Sequence, residues 1–255
     1  MTTQILEVQI DQLNGEARTT ARNLGKAAVS VLLNRYPSAP PRGRALILEC
    51  LAEVKGEEAV LALCRALQDS DADVRNTAID LLHTTNSPSA IEPLTSMALY
   101  SHHARVRGEA ARILGRIGAK SAVAHLREHM KSETDPEAAR KTSLAIARLD
   151  DGPERTPFVD KLADPNPKVR YLAISDIEYI NDPKLLPKLL PLLIDEAPVV
   201  NLGQELWPMW HRVCDRAVDA IAAVSGKPLP FPVGKRNYLR GEIDQARQLA
   251  RQFGK

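Results

Sequence analysis

Aromatic residues make up only 4% of this 255-residue chain, although 44% of it is hydrophobic. A core with so few rings has to be built from Leu, Ile, Val and Ala, side chains that let helices stack closely. Long apolar runs are also missing, and none approaches the ~18 residues that a membrane-spanning helix requires. The opening segment, MTTQILEVQIDQ, has no basic stretch followed by an apolar one, which argues against a secretory signal. A charge excess is missing too. The 34 Lys and Arg residues against 32 Asp and Glu leave a net +2, so no global field selects nucleic acid or a membrane surface. The three cysteines, Cys50, Cys64 and Cys214, form neither an even set nor a ligand or redox spacing, so reduced, buried thiols in a cytoplasmic protein are expected. Gly-rich phosphate loops, G-x-S-x-G and C-x-x-C do not occur. These absences predict a protein without catalytic residues, cofactor or metal.

What the chain does contain is a repeat. The stretch DADVRNTAIDLL at Asp71–Leu82 returns as ARVRGEAARILG at Ala104–Gly115, PEAARKTSLAIARL at Pro136–Leu149 and NPKVRYLAISDI at Asn166–Ile177, with a weaker copy, PRGRALILECL, at Pro41–Leu51. The arginines that register these copies, Arg44, Arg75, Arg107, Arg140 and Arg170, lie 31, 32, 33 and 30 residues apart. That period holds two helices of about ten to twelve residues and two turns. Asp71 and Asn166 are natural N-caps, and Asp135-Pro136 and Asn166-Pro167 put proline at a first helical position, where it loses no hydrogen bond. The apolar stripe predicts Val74, Ala78, Leu81 and Leu82 as buried. Val106, Ala110, Ile113 and Leu114 align with them, as do Val169, Ala173 and Ile177, with Asp176 as a polar misfit.

The first helices of the pairs are predicted over 58–68, 90–100, 120–131, 157–163 and 184–194. Ahead of the repeats, residues 1–23 fit a strand or, better, a helix, and 24–36 fit a helix stopped by Pro37. After Ile194 the array breaks: Val169 to the next equivalent position, Val213, is 44 residues. The insert, EAPVVNLGQELWPMWHR, carries both tryptophans, Trp207 and Trp210. Val213–Val224 resumes the pattern and Gly226 caps it. KPLPFPVGK then excludes helix, and an amphipathic helix with Leu239, Ile243, Ala246, Leu249 and Ala250 closes the chain. A terminal repeat otherwise exposes its apolar face, so this helix reads as a cap.

D-x-x-V-R followed by A-x-x-x-L in a second helix resembles the HEAT-repeat family, in particular the short HEAT-like repeats of phycobilisome lyases, over roughly residues 40–226. The resemblance implies an all-α, right-handed α-solenoid of about five HEAT-like helix pairs with N- and C-terminal helical caps. It would be a single domain: 1–37 a cap, 38–226 repeats with an insert at about 196–212, and 227–255 a proline-rich clamp and capping helix. It further implies that second helices line a concave face and first helices a convex one, and that the repeated Asp and Arg form structural ladders between neighbouring repeats, which makes Arg44, Arg75, Arg107, Arg140 and Arg170 mainly structural.

On that concave face the outward positions give Asn76, Thr77, Asp80 and His83; Glu109, Arg112 and Arg116; Lys141, Thr142 and Arg148; Tyr171, Ser175, Glu178 and Tyr179; and Arg216 and Asp219. The centre is basic (Arg112, Arg116, Lys141, Arg148) and the flank aromatic and acidic. Arg and Tyr are the types enriched at interface hot spots. We therefore expect a non-enzymatic, protein-binding scaffold or adaptor, in a narrower form an inhibitor or immunity-type partner of another bacterial protein. Asp80, Glu109, Arg112, Arg116, Lys141, Arg148, Tyr171, Ser175, Glu178, Tyr179 and Arg216 would be its contacts, with Trp207 and Trp210 of the insert sealing the gap between the fourth and fifth repeats or adding to the contacts. Reversing Arg112 and Arg116 to Glu is expected to weaken binding without unfolding the chain.

Two other readings stand beside it. The same arginines could take phosphates, as in HEAT-like DNA glycosylases, although near-neutral charge argues against a continuous basic stripe. A bilin lyase-like activity is the enzymatic option inside the resemblance. His125-Leu126-Arg127-Glu128-His129 matches the inverted zinc-peptidase string, but solvated histidines on an amphipathic helix explain it more simply. The HEAT-built hydroxylases carry His-Glu pairs, and this sequence has no such dipeptide.

Overall fold

Polar side chains in the short turns start the repeat helices. Asp71 accepts hydrogen bonds from the N–H groups of Asp73 and Val74 at 2.9 and 3.1 Å. Asp135 does the same for Glu137 and Ala138 at 3.1 and 2.8 Å, and Asn166 accepts from Lys168 at 2.9 Å. Each cap satisfies N–H groups that have no partner inside their own helix. The computed structural model describes residues 2–201, 209–234 and 237–253.

Its contacts divide the chain into two compact units, Met1–Leu149 and Asp150–Lys255. Unit 1 opens with α1 (Thr3–Asp11), α2 (Ala17–Leu24) and α3 (Lys26–Arg35). The pairs follow: α4 (Pro41–Val54), α5 (Glu57–Ala66), α6 (Ala72–Thr84), α7 (Ile91–Tyr100), α8 (Ala104–Ile117), α9 (Val123–Met130) and α10 (Pro136–Leu149). Within each pair α5 packs on α6, α7 on α8 and α9 on α10. Between pairs α4, α6, α8 and α10 pack side by side, and so do α5, α7 and α9. Two helical layers result, with Ile47, Leu51, Leu63, Val74, Leu82, Leu94, Leu114 and Leu126 buried among them. Every expected apolar position of α8 is buried; in α6 Ile79 is buried and Leu81 is only half-buried. Gly108 lets α8 and α10 approach, since a Cβ there would stand 3.1 Å from the Ala138 Cα.

Unit 2 contains α11 (Thr156–Asp160), α12 (Pro167–Ile180), β1 (Pro198–Asn201), β2 (Met209–Arg212), α13 (Val213–Ser225) and α14 (Arg240–Arg251). The helix expected over 184–194 is a 3-10 segment, Pro183–Ile194, with Pro187 and Pro191 inside it. Proline removes the i→i−4 bond and clashes with that carbonyl, so an α-helix is disfavoured, whereas 3-10 turns restarted at each proline bury Leu186, Leu189, Leu192 and Leu193. The insert contains an antiparallel pairing of β1 and β2, with Pro198 opposite Arg212 and Asn201 opposite Met209. Trp207 lies outside the described residues, and of Trp210 only the backbone, in β2, is described. All four expected positions of α13 are buried, and Gly226 at φ 63° ends it in the left-handed conformation that a Cβ disfavours. In α14 Ile243, Ala246, Leu249 and Ala250 are buried, but Leu239, just before it, is 71% exposed.

Candidate partner-binding face

The repeated arginines make a ladder. Arg44 donates through Nε and Nη2 to both oxygens of Asp69 at 2.8 Å and through Nη1 to the Ala39 carbonyl. Arg107 grips Glu133 in the same fork at 2.7 Å and donates to the Ser101 carbonyl. In unit 2 Arg170 donates to Asp195 at 2.7 Å and to the Asp164 and Pro165 carbonyls. Two parallel bonds from a planar guanidinium are both strong and directional. Each carboxylate also accepts the N–H two residues on, from Asp71, Asp135 and Ala197. The Arg107 fork lowers the Glu133 pKa to about 2 against the opposing effect of burial. Arg75 donates instead to the Asp69 and Ser70 carbonyls, and Arg140 pairs with Glu137 on the surface. The carboxylates of this ladder were not named from the sequence, although Asp69-x-Asp71 and Glu133-x-Asp135 repeat one spacing.

On the second helices of unit 1 the predicted positions converge on Glu109. This residue is only 7% exposed. Its carboxylate accepts from His83 Nε2 on α6 at 2.9 Å and from Lys141 Nζ on α10 at 2.9 Å, with Arg112 Nη1 at 3.5 Å. Burial works to raise its pKa, but the His83 and Lys141 bonds and the nearby cations outweigh that and hold it near 2. Three successive second helices are thus tied to one carboxylate. Arg116 and Arg148 act at the helix ends: Arg116 donates to the His83 carbonyl at 2.9 Å and Arg148 to that of Gly115 at 3.0 Å, each 33 residues back. A cation at the C-terminal end of a helix meets carbonyls that lack intrahelical partners. Arg116 remains exposed, as does Asp80 on α6, whereas Thr142 is buried at 1%.

In unit 2 Tyr171 meets the His211 ring edge-on at 6.1 Å. Arg216 donates to Ser175 Oγ at 3.2–3.3 Å and to Glu178, and Tyr179 lies half-buried on the same helix as Tyr171. Asp219 is drawn into the clamp, accepting from the Gly234 N–H at 2.8 Å and the Tyr238 hydroxyl at 2.5 Å. Asp215 was not singled out in the sequence. It is 1% exposed and accepts both Arg212 Nε and Nη2 and the N–H groups of Asn237 and Tyr238. Its pKa is lowered, since these bonds outweigh its burial. The segment after α13 is pinned to the helix through this one carboxylate.

His125 is exposed, and His129 Nε2 lies 3.3 Å from Glu133, inside the ladder. Among the described residues no three His, Cys, Asp or Glu side chains converge on a common metal position. All three cysteines are free and buried, and burial pushes the Cys50 and Cys64 thiols up to about 12, where they are not nucleophilic. No helix among the described residues is long and apolar enough to cross a membrane.

No curated protein matches the chain. A chain of the complex of CpcE and CpcF, the phycocyanin lyase of Nostoc sp. PCC7120, superposes with a TM-score of 0.52 at 16% identity, over 99% of this chain and 95% of that one. Human deoxyhypusine hydroxylase gives a TM-score of 0.42 at 15% identity, over 94% of this chain and 98% of that one. The first of these likenesses shows the fold alone. The sequence matches the HEAT-repeat family over residues 29–108 and 82–147, so the regular helix pairs of unit 1 are HEAT repeats.

Proposed function

We propose that this chain is a non-enzymatic adaptor that binds another protein through the exposed face of the second helices in unit 1. The observation that carries this reading is the Glu109 cluster. His83, Arg112 and Lys141 are held on one buried carboxylate, and Arg116 and Arg148 are held on helix-end carbonyls. Side chains already ordered before binding lose little freedom on contact, which raises affinity for a given area. Asp80 and Arg116 stand exposed at the edges of the cluster and are the residues most available to a partner. The narrower form of the proposal is an inhibitor or immunity-type role toward another bacterial protein. A cytoplasmic setting is part of it, supported by three buried free thiols.

The structure changes the choice of variant. Arg112→Glu would set a second carboxylate against buried Glu109 and loosen the fold, so Asp80→Lys with Arg116→Glu is the cleaner pair. Tagged wild-type protein should recover one stoichiometric protein from nuclease-treated lysate of its source, and the double variant should recover at most about a tenth as much. Equal recovery would move the site off this face. Recovery only when nuclease is omitted would replace the protein partner with nucleic acid.

A further inference from the structure

Unit 2 holds a cleft of about 760 Å³ between the 3-10 segment Pro183–Ile194 and α14. Its two walls differ in chemistry. One is apolar, with Leu190, Pro191, Leu193 and Ile194. Ile194 is 76% exposed, and Leu239, between the lining residues Tyr238 and Arg240, is 71% exposed. Ile194 therefore offers an exposed apolar contact on the wall of the cleft.

The other wall is cationic, with Arg240, Arg247 and Arg251 on α14 and Arg212 from β2. Arg212 is neutralised by Asp215, and Arg247 pairs with Asp244. Arg240 and Arg251 make no hydrogen bond or ion pair among the described residues, and both are exposed. They are eleven positions apart on one helix, about 16 Å along its axis at 1.5 Å per residue. An extended peptide of about five residues spans that distance.

We propose that this cleft takes a short acidic segment of a partner protein. The segment lies extended along α14, its carboxylates on Arg240 and Arg251 and an apolar side chain against Ile194. Charge complementarity selects an acidic occupant, and the apolar wall selects a peptide. A phosphodiester chain would gain nothing from Leu193 or Ile194. The site is separate from the second-helix face of unit 1 and stands or falls independently of it.

The test uses the full chain and a set of fluorescein-labelled hexapeptides with two Glu at each end and Leu, Ile, Phe or Trp at the two central positions, read by fluorescence polarisation. At least one peptide should bind. Arg240→Glu with Arg251→Glu should weaken it tenfold or more, and Ile194→Ser severalfold, with thermal melts unchanged. Because Ile194 is so exposed, the second variant keeps the test decisive should the first disturb α14. No binding by any peptide, or undiminished binding by the charge-reversed protein, overturns the proposal. It is equally overturned if hexaglutamate or a twelve-residue oligothymidylate binds as tightly as the best peptide while Ile194→Ser has no effect.

Discussion

In Met1–Leu149, Arg44 and Arg107 each reach forward 25 or 26 residues to a carboxylate; in Asp150–Lys255, Arg170 reaches 25 residues to Asp195. The ladder is the same, yet the elements it spans differ. In unit 1 a second helix is followed by an α-helical partner, α5 or α9. In unit 2 it is followed by the proline-broken 3-10 segment. The rung is therefore set by the chemistry of the turns, a carboxylate placed to accept the N–H two residues on, and not by the kind of helix between them. Where unit 1 continues into another regular pair, unit 2 closes with a hairpin and a clamp held on Asp215.

The comparison breaks most visibly at Asp215. Asp215→Ala leaves Arg212 and the N–H groups of Asn237 and Tyr238 without their acceptor, a loss of about 3–5 kcal/mol for a buried ionic hydrogen-bond network. Urea denaturation should show it, and hydrogen exchange should show amides of 237–251 opening first while those of α8 stay protected. Equal loss of protection in both units would mean that they unfold as one.

Acid should act in the opposite order. Glu109 and Glu133 in unit 1 have folded pKa values near 2, below their unfolded value, so their contribution is complete above about pH 4.5 and is lost as pH falls toward 2. Each contributes on the order of 3 kcal/mol. Asp215 in unit 2 is likewise depressed, from a lower unfolded value of 3.8, so its contribution begins to be lost only as pH falls below about 3.8. Lowering the pH from 5 should weaken amide protection in α6, α8 and α10 before that of α13. The reverse order would assign acid stability to other groups.

Glycines give the smallest effects. Gly108→Ala brings a Cβ within 3.1 Å of the α10 backbone and should destabilise by about 1–3 kcal/mol. Gly241→Ala, in α14 with open space around it, should stabilise by about 0.5–1 kcal/mol. Both are readable as shifts in the urea midpoint.

Much of the fold was legible. The period of the arginines and the capping Asp71, Asp135 and Asn166 mark real helix starts, and the stripes of α8 and α13 are the buried faces. The hairpin was not legible, because Val199 and Val200 form a run too short to separate strand from loop until a partner strand is beside them. Nor was the 3-10 segment, whose leucine spacing suits an amphipathic helix while its prolines do not.

For the site, Asp80 and Arg116 are exposed, whereas Glu109, placed outward by the same reading, is buried among its neighbours. Whether such a residue faces a partner or a neighbour depends on what the next repeat supplies. His83 and Lys141 lie 26 and 32 residues from Glu109, and only stacking brings them to 2.9 Å. The sequence by itself determined where helices begin and which stripe each one buries, because caps, prolines and apolar periodicity act over a few residues. Tertiary structure alone decided which charges are neutralised and which remain open to a partner, because a buried charge is settled by groups that are distant along the chain.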